Sequence, residues 1–117
     1  MANIYNLLTP KSEEEIRNSM NNPIVLHAAC NGAASGNKSF LTQLIKLGFD
    51  INIKDEYGWA LIHYASHSSH TDIVELLIQF GADVNDKTKS GKTPIYLASR
   101  FPSKYNVELL LRYGAKE

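Results

Sequence analysis

Leu44-Ile45-Lys46-Leu47-Gly48, Leu77-Ile78-Gln79-Phe80-Gly81 and Leu110-Leu111-Arg112-Tyr113-Gly114 are three versions of one short apolar run, each closed by a glycine. The three glycines stand 33 residues apart. A fixed period of this length signals stacked supersecondary units, each burying its apolar face against its neighbours. Such a stack presents a continuous surface and rarely encloses a deep catalytic pocket. The period therefore points toward binding of another protein.

Working outward from the glycines, other positions fall into register. Leu26-His27-Ala28-Ala29-Cys30, Ile62-His63-Tyr64-Ala65-Ser66 and Ile95-Tyr96-Leu97-Ala98-Ser99 correspond. So do Gly58 and Gly91, and the tails Phe49-Asp50-Ile51-Asn52 and Ala82-Asp83-Val84-Asn85. Thr93 is placed to cap a helix, and Pro94 to occupy its first turn, where a missing N–H costs nothing. Ala65 and Ala98 are small enough for helices to approach closely. Ile73-Val74-Glu75-Leu76-Leu77-Ile78 is apolar nearly all round, as suits a helix held between two others. Each closing glycine supplies the left-handed backbone that ends this second helix.

Together with Thr93-Pro94, these segments resemble the ankyrin repeat over about residues 21–117. The resemblance implies an all-α solenoid of stacked helix-turn-helix units joined by short β-turns. Its expected divisions are an N-terminal helical cap over 1–21, a first repeat over 22–55, a second over 56–88 and a third over 89–117. The third repeat would act as its own C-terminal cap, helped by Lys104, Asn106 and Arg112 on its outer helix. In the N-terminal segment, Ser12-Glu13-Glu14-Glu15-Ile16 reads as a capping box opening a short helix. Ile4, Leu7 and Leu8 would cover the first repeat, and a flexible tail is the other reading of this segment.

Departures from the pattern carry their own expectations. His27 to Gly48 spans 21 positions, against 18 from His63 to Gly81 and from Tyr96 to Gly114. The three-residue insertion, near 33–35, is expected to make Gly32-Ala33-Ala34-Ser35-Gly36-Asn37 a small flexible loop between two helices. Ala60-Leu61 replaces the Thr-Pro pair in repeat two and loses its cap. Repeat three has Pro102 and Ser103 in its inter-helix loop, and Tyr96 in place of the histidine.

The bulk numbers narrow the function classes. With 44% apolar and 21% charged residues the composition is that of a globular domain. No apolar run reaches the roughly 18 residues of a membrane span, and no secretory signal is visible at the N-terminus. One cysteine rules out an internal disulfide, so the expected compartment is the cytoplasm, with signal-independent export left open. The net charge of zero hides a dipole: residues 86–117 carry +4 and residues 1–85 carry −4. That polarity would steer the basic end toward an acidic patch on a partner, although a chance spread of surface charge reads equally well. The acidic remainder of the chain argues against nucleic acid, which needs a dominating positive field.

Three constellations could carry chemistry. His63, His67 and His70 fall at i, i+4 and i+7, a spacing that suits a metal on one helical face. Against this, the resemblance assigns His27 and His63 to backbone hydrogen bonds and His70 to the loop, and the helix should end near Ser68. A metal-dependent enzyme using these histidines is the alternative reading, and no cofactor is expected. Cys30 stands where a small helix residue packs, which makes it a buried hydrophobe rather than a nucleophile. Gly32 to Ser39 superficially matches a phosphate loop but lacks its spacing and a preceding strand.

The resemblance implies that partner contacts come from the turn tips and the exposed side of each first helix. In this chain those positions carry Tyr57, Trp59, His67, Lys89, Lys92, Arg100 and Phe101. Trp, Tyr and Arg dominate interface energetics. Two readings of Tyr57 and Trp59 remain open: partner contact, or packing on each other or on the next turn. The expected activity is non-enzymatic protein binding through the concave face, as an inhibitor, adaptor or antagonist that is monomeric on its own. An immunity partner of a toxin, or an effector-type protein, is one specific form. Self-assembly through the bare third repeat is another. The chain reads as complete, so binding would be its whole output.

Overall fold

A computed structural model describes residues 22–68, 70–100 and 104–116. The expected N-terminal cap, Phe101 and the Pro102-Ser103 pair lie outside the described residues. Among the described residues six helices follow in order: α1 (Pro23–Ser35), α2 (Lys38–Lys46), α3 (Leu61–His67), α4 (Thr71–Gln79), α5 (Pro94–Arg100) and α6 (Lys104–Arg112). They pack as pairs, α1 with α2, α3 with α4 and α5 with α6. The first helices pack in one row and the second helices in another. Among the described residues there is no β-strand, so the all-α expectation holds.

Three of the helices, α1, α2 and α5, start where a side chain satisfies free N–H groups. Asn22 Oδ1 accepts from the N–H groups of Ile24 and Val25, both at 3.0 Å, with Pro23 next in line. Asn37 Oδ1 accepts from Phe40 at 3.2 Å, and Thr93 Oγ1 from Tyr96 at 3.2 Å. Repeat two lacks such a cap at Ala60, as expected. It reverses the arrangement instead: the Ala60 N–H donates to Nδ1 of His63 at 2.9 Å.

The second helices end alike. Gly48, Gly81 and Gly114 have φ of +99°, +96° and +94°. The residue after each returns a hydrogen bond into the helix, from Phe49 to Leu44 (3.0 Å), Ala82 to Leu77 (2.9 Å) and Ala115 to Leu110 (2.9 Å). This left-handed stop turns the chain out into the next connection. There Asp50 and Asp83 accept from the N–H of Asn52 and Asn85, each at 2.9 Å. Asn52 and Asn85 then donate to the carbonyls of Gly81 (3.3 Å) and Gly114 (3.2 Å), one repeat onward.

The core runs along the whole stack. Ala29, Ala65 and Ala98 are fully buried at the equivalent place in α1, α3 and α5, which lets the first-helix row close up. Leu41, Leu61, Ile62, Ile73, Val74, Leu77 and Leu110 fill the space between the rows. Burying such side chains stabilises by about 1.5–3 kcal/mol each.

Two expectations are overturned. Gly32–Ser35 is not a loop but the last turn of α1, which makes that helix 13 residues long against seven for α3 and α5. Three extra residues are close to one helical turn, so the helix absorbs them without a bulge. Gly32 and Ala33 are buried there, and only Gly36 and Asn37 link α1 to α2. Asn106, expected to help cap the stack from the outer helix, does not face solvent. It is fully buried and donates from Nδ2 to the carbonyl of Ser66 at 3.4 Å. The equivalent position in α4 is Ile73, also fully buried, so Asn106 occupies a core slot.

Candidate functional site

The turn between α2 and α3 is organised by one carboxylate. Asp55 Oδ1 accepts from the N–H of Tyr57 (2.9 Å) and of Trp59 (3.0 Å). Its Oδ2 accepts from the hydroxyl of Tyr64 on α3. The Asp55 N–H donates to the Trp59 carbonyl at 3.0 Å, and Gly58, at φ +77°, closes the turn. In the next repeat Thr88 holds the equivalent position and replaces the carboxylate with a hydroxyl, accepting from Lys92 N–H at 3.1 Å. The two turns are joined, because Lys89 N–H donates to the Tyr57 carbonyl at 3.2 Å.

Trp59 lies half-buried against the start of α3. Its ring centroid is 4.9 Å from Tyr64, 5.8 Å from His67 in an edge-on contact and 6.0 Å from His63. Tyr57 instead projects from the tip and is 64% exposed. Lys89, Lys92, Arg100 and His67 are exposed as well. The Arg100 guanidinium sits 5.8 Å over the ring of Tyr96. Tyr57, Trp59, His67 and Lys89 are thus brought to one place. Lys92 and Arg100 flank it on the following repeat.

Tyr64 was missed by sequence reasoning. It lines the same cavity as Tyr57 and Trp59, and burial together with the Asp55 hydrogen bond holds its hydroxyl protonated, with its pKa raised. The available signal was its place: repeat one has Ala28 there and repeat three has Leu97. Two cavities adjoin it. One, of about 440 Å³, is lined by Glu56, Tyr57, Trp59, Tyr64, Lys89 and Ser90. The other, of about 770 Å³, opens between α1 and the turn and shares Glu56, Tyr57 and Tyr64 with the first.

The histidines do not converge. His63 is fully buried with both ring nitrogens engaged: Nδ1 accepts from Ala60, and Nε2–H donates to the carbonyl of Asp86 at 2.8 Å. That pair of bonds requires the neutral ring, and burial lowers its pKa accordingly. His70 opens α4 and bonds through Nε2 to the carbonyl of Ala34 at 3.1 Å. His27, expected to bond backbone as His63 does, is exposed on the wall of the larger cavity. Among the described residues no three His, Cys, Asp or Glu side chains form a metal-sized group.

Cys30 is buried, and burial, reinforced by the nearby Asp55 charge, pushes its thiol up to about 11. It is a packed, protonated thiol, as its position in the repeat suggested. Among the described residues the single ion pair is Lys54 Nζ to Asp86 Oδ1 at 2.5 Å, which ties the two connecting segments together. Lys89 and Lys92 are outside it.

A family profile described as ankyrin repeats in three copies matches residues 2–88 and 26–117. The chain belongs to the ankyrin-repeat family. Ankyrin repeats are protein-interaction modules, and the three helix pairs of this ankyrin-repeat chain are the units expected of one. Over 53 residues, 45% of its length, the ankyrin-repeat chain is 40% identical to protein phosphatase 1 regulatory subunit 12A of Mus musculus and of Rattus norvegicus. The aligned stretch spans 5% of those relatives. No described helix of this ankyrin-repeat protein is long and apolar enough to cross a membrane.

Proposed function

We propose that this chain acts without catalysis, by binding a partner protein across the face built from its turns and first helices. The carrying observation is the row formed by Tyr57, Lys89, Lys92 and Arg100, all exposed, on two successive repeats joined turn to turn. Tyrosine and arginine supply contact area and hydrogen bonds at modest entropic cost, and the lysines set a positive field. The partner therefore presents an acidic patch. Trp59 supports the row from behind, and His67 extends it along α3. Phe101, expected beside Arg100, is proposed as part of the same surface on sequence grounds.

The output of such a binder is occupancy: inhibition, scaffolding or antagonism of whatever it covers. Its likeness to proteins named as regulatory subunits of a phosphatase supports that mode of action. A toxin-immunity or effector role is a narrower form of it. The protein is proposed to be cytoplasmic and monomeric when alone.

The test is capture from a lysate of the source cell, with the intact protein beside a Tyr57→Ala, Lys89→Ala, Lys92→Ala, Arg100→Ala variant of unchanged circular dichroism and Tm. Loss of a specific partner with the variant supports the reading. A partner held equally by both places the interface elsewhere on the stack.

A further inference from the structure

The smaller cavity beside the turn has a chemistry of its own. Three of its six lining residues are aromatic (Tyr57, Trp59 and Tyr64), and Glu56 stands at its edge. Aromatic rings carry negative faces, so an enclosure of this kind attracts a positive group within about 6 Å of the ring centroids. Two details strengthen the attraction. The Tyr64 hydroxyl donates to Asp55, which leaves the phenol oxygen and its ring richer in electrons. Asp55 also holds the backbone N–H groups of Tyr57 and Trp59, which fixes where the three rings stand. Glu56 and Lys89 are the two charges of the lining and offset each other, so the attraction rests on the rings.

The enclosure is also built in advance. The Trp59 N–H is fixed by Asp55, and its ring is wedged among Tyr64, His67 and His63. Tyr57 is set by the same carboxylate from the other side of the turn. Preorganised walls lower the ordering cost of binding. One repeat onward the molecule satisfies a related contact internally, with Arg100 over Tyr96. Tyr57, 64% exposed, leaves its ring open to a partner, while Lys89 stands on the opposite edge of the notch.

We infer that the notch formed by Tyr57, Trp59 and Tyr64 accepts a cationic side chain, lysine or arginine, from the partner. This deepens and rests on the reading of that face as a partner site. The partner segment would then place a cation in the notch and acidic residues toward Lys92 and Arg100. A volume of about 440 Å³ accommodates one long side chain.

Trp59 is the only tryptophan, so its indole resonance reports this notch alone. Titrations use Nα-acetyl methylamides of lysine, arginine, norleucine and glutamate against the full chain. Saturable shifts with the lysine or arginine derivative, at least about fivefold tighter than norleucine, are expected. The preference should shrink in Glu56→Gln and in Tyr57→Ala while Tm stays constant. Equal response to norleucine would make the notch a plain apolar slot and overturn the inference. So would preference for glutamate, which would mark an anion site on Lys89, or the absence of any saturable shift. A parallel titration with a hexaglutamate peptide, on intact protein and on a Lys89→Ala, Lys92→Ala, Arg100→Ala variant, tests the acidic-partner reading. Charge-dependent peptide binding with a silent notch would sink this inference and leave that reading standing.

Discussion

The Nε2–H of His63 donates to the carbonyl of Asp86, 23 residues further along the chain, at 2.8 Å. Through its other nitrogen the same ring holds the N–H of Ala60. One neutral imidazole therefore caps the first helix of repeat two and binds that repeat to the segment entering repeat three. The uncapped start at Ala60 and the inter-repeat joint share a single side chain.

Protonation of His63 would break the Ala60 bond and place a charge in a fully buried site. Its pKa is lowered on folding from an ordinary 6.5, mainly by burial. The unfolded chain thus binds the proton first as pH falls, so stability is full above about 6.5 and declines below it. Urea unfolding at pH 7.5 and 5.5 should show this loss, and His63→Gln should flatten it. An unchanged slope in the variant would assign the pH dependence to other groups.

Gly58 and Gly91 close equivalent turns, with φ of +77° and +82°, yet their surroundings differ. A Cβ on Gly58 would lie 2.7 Å from the backbone nitrogen of Lys89, whereas one on Gly91 meets nothing within 4 Å. Gly91→Ala should cost about 1–2 kcal/mol from backbone conformation alone. Gly58→Ala should cost about 1–3 kcal/mol more, because the two turns must separate. Equal losses by denaturant titration would contradict this account of the turn-to-turn contact.

Such turn contacts were only partly legible in sequence. The 33-residue spacing of Gly48, Gly81 and Gly114 is a direct imprint of three identical left-handed helix stops, and it was enough for the fold. The insertion at 33–35 was misread because small residues and glycine suit a loop as well as a tightly packed helix turn. Only the neighbouring helix distinguishes the two. The joining of Tyr57, Trp59 and Tyr64 depends on Asp55, whose role as turn organiser passes to Thr88 one repeat later. A change of residue type at a shared position conceals the shared function.

Ser66 and Asn106 face each other at the joint between α3 and α6, both fully buried. Among the described residues, Ser66 Oγ and Asn106 Oδ1 have no hydrogen-bond partner. Removing both polar groups relieves two desolvation costs. Ser66→Ala with Asn106→Leu is expected to raise stability by about 1–2 kcal/mol. Ile73 already shows that an apolar side chain fits the equivalent slot. A lowered Tm would indicate a buried water satisfying the pair.

Cys30 should alkylate slowly. With its thiol raised from 9.0 to about 11, it carries about a hundredfold less thiolate at neutral pH than an ordinary cysteine. Labelling by iodoacetamide at pH 7.5 is expected to be slow in the native protein and to accelerate in urea. The same shift has a stability sign: above pH 9 the unfolded thiol ionises first, so the native state weakens between about 9 and about 11. Equal labelling rates in native and unfolded protein would refute the buried, protonated state.

The bonds from Asn52 to Gly81 and from Asn85 to Gly114 join each repeat only to the one that follows. The stack is therefore a series of links rather than a web. Pulled along its length, such a molecule yields link by link, and a freed 33-residue unit releases up to about 120 Å of slack chain. A partner that grips two neighbouring repeats at once would clasp the link between them. Occupancy would then alter how the protein bears load as well as what it touches.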